Sequence, residues 1–336
     1  MRPYSHPQVL PGLFSRLPIR SPGFELTERD IEILRLVHEY RLLLFDHLQA
    51  LTGRSYKALH RRISKLVENK YIQKIDRSHF QKQIFAIGNG AIPILIERGY
   101  APMALSDYRA RANELKDLFL QHELMIVDIH ASLALASQPS SFKLVQWQEG
   151  VDLHDTVTFT EQGKEHRLPV RPDAFFTLED QRRPAGQNRI HYFLEADRST
   201  TDHHRFKKKM KAYHQYHRQD LHTKKHGIKG FRVVTVTLTR ERALNLCQAT
   251  ADIIGPGKHY LFAPIGNVSL SQPDPIFGNI FITPKDYEDY YAQARKKPYQ
   301  GKRHFITDAL NAMLKQPAES WHPLFPPLRQ PLTQNA

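Results

Sequence analysis

Three acidic residues in two separate stretches have the types and spacing for metal-assisted phosphate chemistry. In the segment RIHYFLEAD (189–197), apolar residues alternate, so that Glu195 and Asp197 project from the same face of a predicted strand. Upstream, Asp173 follows Pro172 in a second strand-like run, RLPVRPDAFFTL. If these two strands are neighbours, the three acids converge. Carboxylate oxygens are the ligands that Mg²⁺ prefers, and a bound Mg²⁺ neutralises a phosphate and activates water. Asp173, Glu195 and Asp197 are therefore the candidate metal ligands.

A basic segment follows the second of these strands. The run RFKKKMKAY (205–213) is typical of a helix, in which Lys209 and Tyr213, four residues apart, project from one side. Six histidines also lie between 203 and 226. His214 and His217 have a spacing that could hold a metal, but we expect the His-rich segment to be a solvated surface that faces phosphate, because nine Lys/Arg and one Asp/Glu accompany it from 203 to 229.

The overall charge points to a polyanionic partner. The 336 residues carry 48 Lys+Arg against 34 Asp+Glu, a net charge of +14, and double-stranded DNA is the simplest such partner. No run approaches the roughly 18 consecutive apolar residues of a membrane span, and prolines interrupt the N-terminus where a signal peptide needs a continuous apolar region. The one cysteine, Cys247, excludes a disulfide framework and is expected in a buried core. We therefore expect a cytoplasmic protein with no membrane association.

Composition and periodicity divide the chain into four parts. Residues 1–23 are Pro-rich and irregular, and residues 24–100 form a compact basic block. Residues 101–285 alternate strand-like and helical patterns, as in an α/β domain. Residues 286–336 are a basic helical segment and a Pro-rich tail. The fold class predicted for the whole chain is α+β.

The block 24–100 has the element order of a winged helix-turn-helix. Thr27, with Asp30 three residues later, caps a first helix; LLLFDHLQALTG is a second helix that Gly53 ends; and Ser55 caps a third. Two strand-like arms, 72–75 and 84–87, then enclose a polar tip that includes Arg77. In this motif the third helix enters the major groove of DNA and the hairpin lies against the backbone.

The basic residues of this block supply the candidate DNA contacts. Between 54 and 82 there are nine Lys/Arg and two Asp/Glu, the local surplus that phosphate contacts require. The candidates on the third helix are Arg54, Lys57, Arg61, Arg62 and Lys65. The candidates on the hairpin are Lys74, Arg77 and Lys82. The alternative is a small protein-interaction module with solvated charged faces.

The second block resembles the PD-(D/E)XK nuclease fold. The long helix NELKDLFLQHELMIVDIHASLALAS, then strands, Pro172-Asp173 and a Glu195-containing strand before a basic helix match its order. The resemblance implies that Asp173 and Glu195 bind metal and that a lysine two residues after the glutamate assists the reaction. Asp197 stands at that position here. Either a lysine of the next helix (Lys207, Lys208, Lys209 or Lys211) replaces it, or Asp197 is a third ligand, or the fold persists as a scaffold without chemistry. His122 and Glu123 of the long helix either point into this cluster or serve packing.

The combined layout resembles the replication-relaxation family of plasmids and other mobile elements. The residues that carry this resemblance are Pro172, Asp173, Glu195, Asp197, Arg198, Lys209 and Tyr213. It implies DNA-linked work in plasmid replication or maintenance, with Asp173, Glu195, Asp197 and Lys209 as catalytic residues if the second domain is an Mg²⁺-dependent endodeoxyribonuclease. The alternatives are a non-catalytic regulator of transcription or replication, whose second domain clamps DNA or forms a homodimer, and a protein-interaction adaptor.

Overall fold

The computed structural model describes most of the chain and divides it into two compact units. The described residues are 24–75, 81–101, 117–199, 202–268, 270, 273–296, 302–315 and 322–324. Unit 1 ends at Leu120 and unit 2 begins at Gln121. Predictions for the N-terminal segment 1–23, the hairpin tip with Arg77, the connector 102–116 and the tail beyond 324 lie outside the described residues. Of the helices in the described ranges, none is both long and apolar enough to cross a bilayer.

Unit 1 combines helices with a small antiparallel sheet. Its elements are α1 (Glu28–Tyr40), β1 (Leu42–Leu44), α2 (Phe45–Thr52), α3 (Tyr56–Glu68), β2 (Ile72–Ile75), β3 (Ile84–Ile87) and α4 (Ile92–Glu97). The sheet has the order β1-β3-β2, and both pairings are antiparallel. The two strands of the predicted hairpin thus have the predicted bounds.

The ends of the first helices follow the predicted local chemistry. The hydroxyl and the amide of Thr27 both donate to the Asp30 carboxylate, at 2.7 and 2.8 Å, which closes the capping box of α1. Gly53 ends α2 with φ of 63°, a left-handed conformation that suits glycine. Leu59, Ile63 and Leu66 form the buried stripe of α3.

One element of unit 1 differs from the prediction. The run beginning at Leu42 was predicted as the start of the second helix, but Leu42–Leu44 is a strand, β1, that pairs with β3. An apolar run of this length fits a helix or a strand equally well. The run is a strand because β3, some forty residues further along the chain, has an edge that β2 leaves unpaired. Pairing at this edge satisfies the backbone hydrogen-bonding groups of both β1 and β3.

Unit 2 contains a five-stranded mixed sheet. Its strands are β4 (Phe142–Gln148), β7 (Ala174–Asp180), β8 (Arg189–Asp197), β9 (Arg232–Thr237) and β10 (Tyr260–Pro264), in the order β10-β9-β8-β7-β4. β8, β9 and β10 run parallel, whereas β7 is antiparallel to both β4 and β8. A separate hairpin of β5 (Asp155–Glu161) and β6 (Lys164–Val170) precedes β7. The helices are α5 (Asp117–Ser137), α6 (His203–Arg218), α7 (Leu221–His226), α8 (Arg240–Ile254), α9 (Pro284–Ala294) and α10 (Lys302–Lys315).

The two faces of the large sheet carry two hydrophobic cores. On one face, apolar side chains of α5 such as Ile126 and Ile129 pack on Phe176 and Leu194. On the other face, α6 and α8 pack on side chains that include Phe193. The strand alternation predicted for residues 190–197 is therefore confirmed, and Cys247 lies in the second core as expected. The α+β class is confirmed.

Two local predictions for unit 2 are wrong. The run 167–178 was predicted as one strand, but β6 ends at Val170 and β7 begins at Ala174. Pro172 lies in the break and has no N–H to donate to a ladder. The His-rich segment is not wholly solvated, because His222 is fully buried, with its ring stacked on that of His217 at a centroid distance of 5.0 Å.

Candidate functional site: an acid cluster and a basic helix

The backbone of β7 and β8 brings Asp173 and Glu195 together. Asp173 directly precedes β7, and its amide donates to the Leu194 carbonyl at 3.0 Å. Its Oδ2 accepts the amide of Ala196 at 2.7 Å. Because Ala174 pairs with Leu194, the antiparallel register continued by one residue sets Asp173 opposite Glu195. β7 and β8 are thus adjacent, as predicted, and two of the three acids meet at this end of the sheet.

Helix α6 supplies a cation and a hydroxyl to Glu195. The Lys209 ammonium donates to Oε2 of the carboxylate, and the Tyr213 hydroxyl donates to Oε1 at 2.5 Å. The two donors lie one helical turn apart, on the side of α6 that packs against β8. Glu195 is 3% exposed, so these two donors take the place of water around its carboxylate.

Asp197 has a different partner. Its carboxylate accepts two hydrogen bonds from the Arg242 guanidinium in the first turn of α8, at 2.8 and 3.2 Å. The Ser199 amide and the Thr237 hydroxyl also donate to it, at 3.1 and 3.2 Å. Asp197 is buried and shares a face of β8 with Glu195, but its oxygens are bound by Arg242 rather than directed at the other acids.

The surroundings of Asp173 and Glu195 shift their pKa values in opposite directions. Burial raises the pKa of Glu195 to about 7, with Asp173 adding to the rise and Lys209 and Tyr213 opposing it. Burial also acts on Asp173, but the hydrogen bond from His122, the charge of Lys209 and the amide of Ala196 hold its pKa below the ordinary value. Burial disfavours the Lys209 ammonium, yet the neighbouring carboxylates raise its pKa. Asp173 is thus the ionised member of the pair at neutral pH, and Glu195 is the member that takes up a proton first.

Three further residues that the sequence analysis singled out lie around this cluster. His122 of α5 contacts Asp173, with 3.2 Å between Nε2 and Oδ1, and this contact raises the pKa of the imidazole. It therefore points into the cluster, one of the two roles considered from the sequence. Arg198 donates to the Gln121 carbonyl of α5 at 3.4 Å, and Pro172 is buried.

The three acids do not fit a shared Mg²⁺ in this arrangement. Each of their six carboxylate oxygens already accepts a contact from His122, Lys209, Arg242, Tyr213 or a backbone amide. Within the described ranges, no three His, Cys, Asp or Glu side chains are grouped so that they could hold a metal ion. Binding of Mg²⁺ by these acids therefore stays a prediction from the sequence.

In unit 1, helix α3 exposes three basic side chains. Lys57, Arg61 and Lys65 follow one another at four-residue spacing, so they lie along one face of the helix. All three are exposed, and none forms an ion pair with another described residue. Glu68 in the last turn is the only acid in α3. Apart from Glu68, three residues after Lys65, no carboxylate of the helix lies near this positively charged face.

Two other candidates from the basic segment bind acids of α1. Arg62 donates to both oxygens of the fully buried Asp30, with 2.7 Å between Nε and Oδ1. Arg54 donates to Glu32 at 2.6 Å and to the Arg29 carbonyl at 2.9 Å. Arg62 joins α3 to α1, whereas Arg54 lies in the turn before α3, not on the helix as predicted, and joins that turn to α1. The first role of both groups is therefore structural.

The hairpin candidates differ among themselves. Lys74 on β2 is exposed, and no ion pair with another described residue involves it. Lys82 pairs with Asp46 at 2.5 Å, and both side chains remain largely exposed. Arg77 falls in the segment 76–80, outside the described residues.

The sequence analysis missed two groups of residues. Arg242, which binds Asp197, lies 45 residues further along the chain, in the first turn of α8. No local sequence pattern there indicates that it pairs with Asp197. Tyr56 and His60 on α3 could have been found, because an aromatic residue at the start of a basic helix is a visible signal. Tyr56 is 61% exposed, a high value for a large ring.

Of three comparisons with known proteins, the one with family models supports the resemblance suggested by the sequence motif. No curated protein and no solved structure matches the chain. The replication-relaxation family model matches residues 34–231, more than half of the chain, and this range includes α3 and the whole of the acid cluster except Arg242. The protein belongs to the replication-relaxation family.

Proposed function

We propose that this protein binds double-stranded DNA and acts in the replication or maintenance of a plasmid or other mobile element. In this proposal unit 1 works as a winged helix-turn-helix, with α3 in the major groove and the β2–β3 hairpin as the wing. The observation that carries the proposal is the exposed row of Lys57, Arg61 and Lys65, which has no internal ion-pair partners in the described residues. The net charge of +14 and the family membership support it.

The row has the physical properties of a phosphate contact surface. Three like charges on one helix face repel each other, and nothing in α3 except Glu68 offsets this cost. A polyanion would remove the repulsion, and each neutralised phosphate would release condensed counterions. The exposed Lys74 on β2 offers a further contact from the wing.

Unit 2 fits a non-catalytic role best. Lys209 and Arg242 form ion pairs with Glu195 and Asp197, and His122 contacts Asp173, so the cluster holds α5, α6 and α8 to the end of the sheet. In this reading the protein is a regulator whose second unit clamps DNA or forms a homodimer.

A second candidate is DNA cleavage by the acid cluster, with Mg²⁺. Asp173, Glu195 and Lys209 converge as the nuclease resemblance requires, and the separated pKa values of the two acids are typical of functional sites. Against it stand the six occupied carboxylate oxygens and the ion pair of Asp197 with Arg242.

Salt-dependent binding tests the first proposal. Binding of a labelled duplex should weaken steeply with added salt, and Arg61→Ala should lower the slope of log K against log salt by about 0.9, the value for one lost phosphate contact. Arg29→Ala is the matched control, since Arg29 is an exposed arginine on α1. Absence of duplex binding by the wild-type protein, or equal effects of the two variants, would contradict the proposal and favour the adaptor.

A nicking assay separates the two candidates. We expect supercoiled plasmid to remain uncut by the wild-type protein in Mg²⁺, under conditions in which it binds DNA. Nicking that is lost in both Asp173→Ala and Glu195→Ala would instead establish the endodeoxyribonuclease.

A further inference from the structure

An exposed aromatic pair lies beside the basic row of α3. Tyr56 is the first residue of α3, and its side chain is 61% exposed. Its ring stacks on that of His60, one turn along the helix, with 5.7 Å between centroids and an angle of 19°. The imidazole of His60 is also exposed. Among the described tyrosine, phenylalanine and tryptophan side chains, that of Tyr56 is the most exposed, and it lies next to the basic row.

A second aromatic ring packs against the tyrosine. The ring of Phe45, the first residue of α2, lies 4.8 Å from the Tyr56 ring. Tyr56 therefore presents a fixed ring, and little side-chain entropy is lost when a ligand binds it. Lys65, further along α3, is exposed and has no ring contact with another residue in the described part of the chain, so its side chain can adjust to the position of a phosphate.

Tyr56 and His60 lie nearer the N-terminus of α3 than Arg61 and Lys65, which suggests different roles in DNA binding. In a helix that enters the major groove, residues of the N-terminal turns reach the base edges, whereas cations further along contact the backbone. Tyr56 and His60 occupy the first two turns of α3, and Arg61 and Lys65 follow on the adjoining side. The imidazole donates or accepts a hydrogen bond at a base edge, and the tyrosine ring offers an apolar surface to a thymine methyl group.

From these observations we propose that Tyr56 and His60 read base edges in the major groove and determine sequence preference, whereas Arg61 and Lys65 supply affinity that does not depend on sequence. This proposal rests on the proposed function, since it requires that α3 meets duplex DNA.

The experiment compares specific with non-specific binding. The wild-type protein selects its preferred duplex from a pool with a randomised central segment, and binding of that duplex and of an unrelated duplex is then measured. Tyr56→Ala and His60→Ala should each weaken binding of the selected duplex by roughly tenfold and leave the unrelated duplex and the salt slope unchanged. The matched variant Lys65→Ala should weaken binding of both duplexes equally.

Several results would overturn the inference. One is equal weakening of both duplexes by Tyr56→Ala, or no weakening at all, and circular dichroism would show whether the variant is folded. If Tyr56→Ala is unfolded, His60→Ala alone decides. Selection of no preferred duplex, or tighter binding of a single-stranded oligonucleotide, would also refute base reading in a major groove. These outcomes leave duplex binding intact, whereas failure of the proposed function means that the wild-type protein binds no duplex.

Discussion

Asp173 and Glu195 face each other across two antiparallel strands, but they differ in protonation chemistry. The pKa of Asp173 is held down by the hydrogen bond from His122 and by Lys209, whereas burial raises that of Glu195 to about 7. The ammonium of Lys209 acts on both acids. Lys209 therefore occupies the role of a resident cation between two strand-borne carboxylates.

Removal of this cation should make stability depend more steeply on pH. The folded-state pKa of Glu195 lies above its ordinary value of 4.5, so the folded protein binds the proton more tightly and the free energy of unfolding falls as pH rises from about 4.5 to 7. Lys209 opposes that rise in pKa, so Lys209→Met should destabilise the protein more at pH 8 than at pH 5. Urea denaturation at the two pH values measures the difference.

The control variant for this prediction lies on the same helix. Lys208 is exposed on α6, and Lys208→Met should change stability little and equally at both pH values. In the double variant Glu195→Gln/Lys209→Met, the extra loss at pH 8 should disappear, because the buried group no longer ionises. An equal loss for Lys209→Met at both pH values would show that Lys209 does not compensate Glu195.

Added Mg²⁺ should not stabilise the wild-type protein. A site that binds folded protein with a Kd one hundredfold below the Mg²⁺ concentration would add about 2.7 kcal/mol to the free energy of unfolding. Because the carboxylate oxygens are occupied by internal donors, we expect no shift in Tm between EDTA and millimolar Mg²⁺. A rise in Tm that vanishes in Asp173→Asn/Glu195→Gln would show that the acids bind the ion.

Arg62 and Arg54 should differ in their effects on stability. Arg62→Ala leaves the fully buried Asp30 without its cation and should cost about 3 kcal/mol, the lower end for a broken buried pair, because the arginine itself is partly exposed. Arg54→Ala breaks a pair with the half-exposed Glu32 and should cost less than about 1 kcal/mol. Denaturation in urea measures both values.

The same two variants test the assignment of DNA contacts. Since the Arg54 guanidinium is bound to Glu32 and to the backbone of α1, Arg54→Ala should leave the salt slope of DNA binding unchanged. A decrease equal to that of Arg61→Ala would show that Arg54 leaves Glu32 to contact phosphate.

Local patterns were sufficient for several features of the fold and the site. The bounds of β2 and β3, the capping box of Thr27 and Asp30, and the shared side of Lys209 and Tyr213 were all predicted from residues within a few positions of each other. Strand and helix periodicity determine such relations directly, because they depend on backbone geometry and not on distant partners.

The sequence by itself therefore determined the α+β class, the face that Glu195 and Asp197 share, and the basic character of α3. The tertiary structure alone decided that Leu42–Leu44 is a strand, that Arg62 binds Asp30 and that Arg242 binds Asp197. The two residues of each of these ion pairs lie 32 and 45 positions apart. A charge has no preferred partner at such separations until packing fixes which opposite charge is buried with it, and burial makes that pairing obligatory.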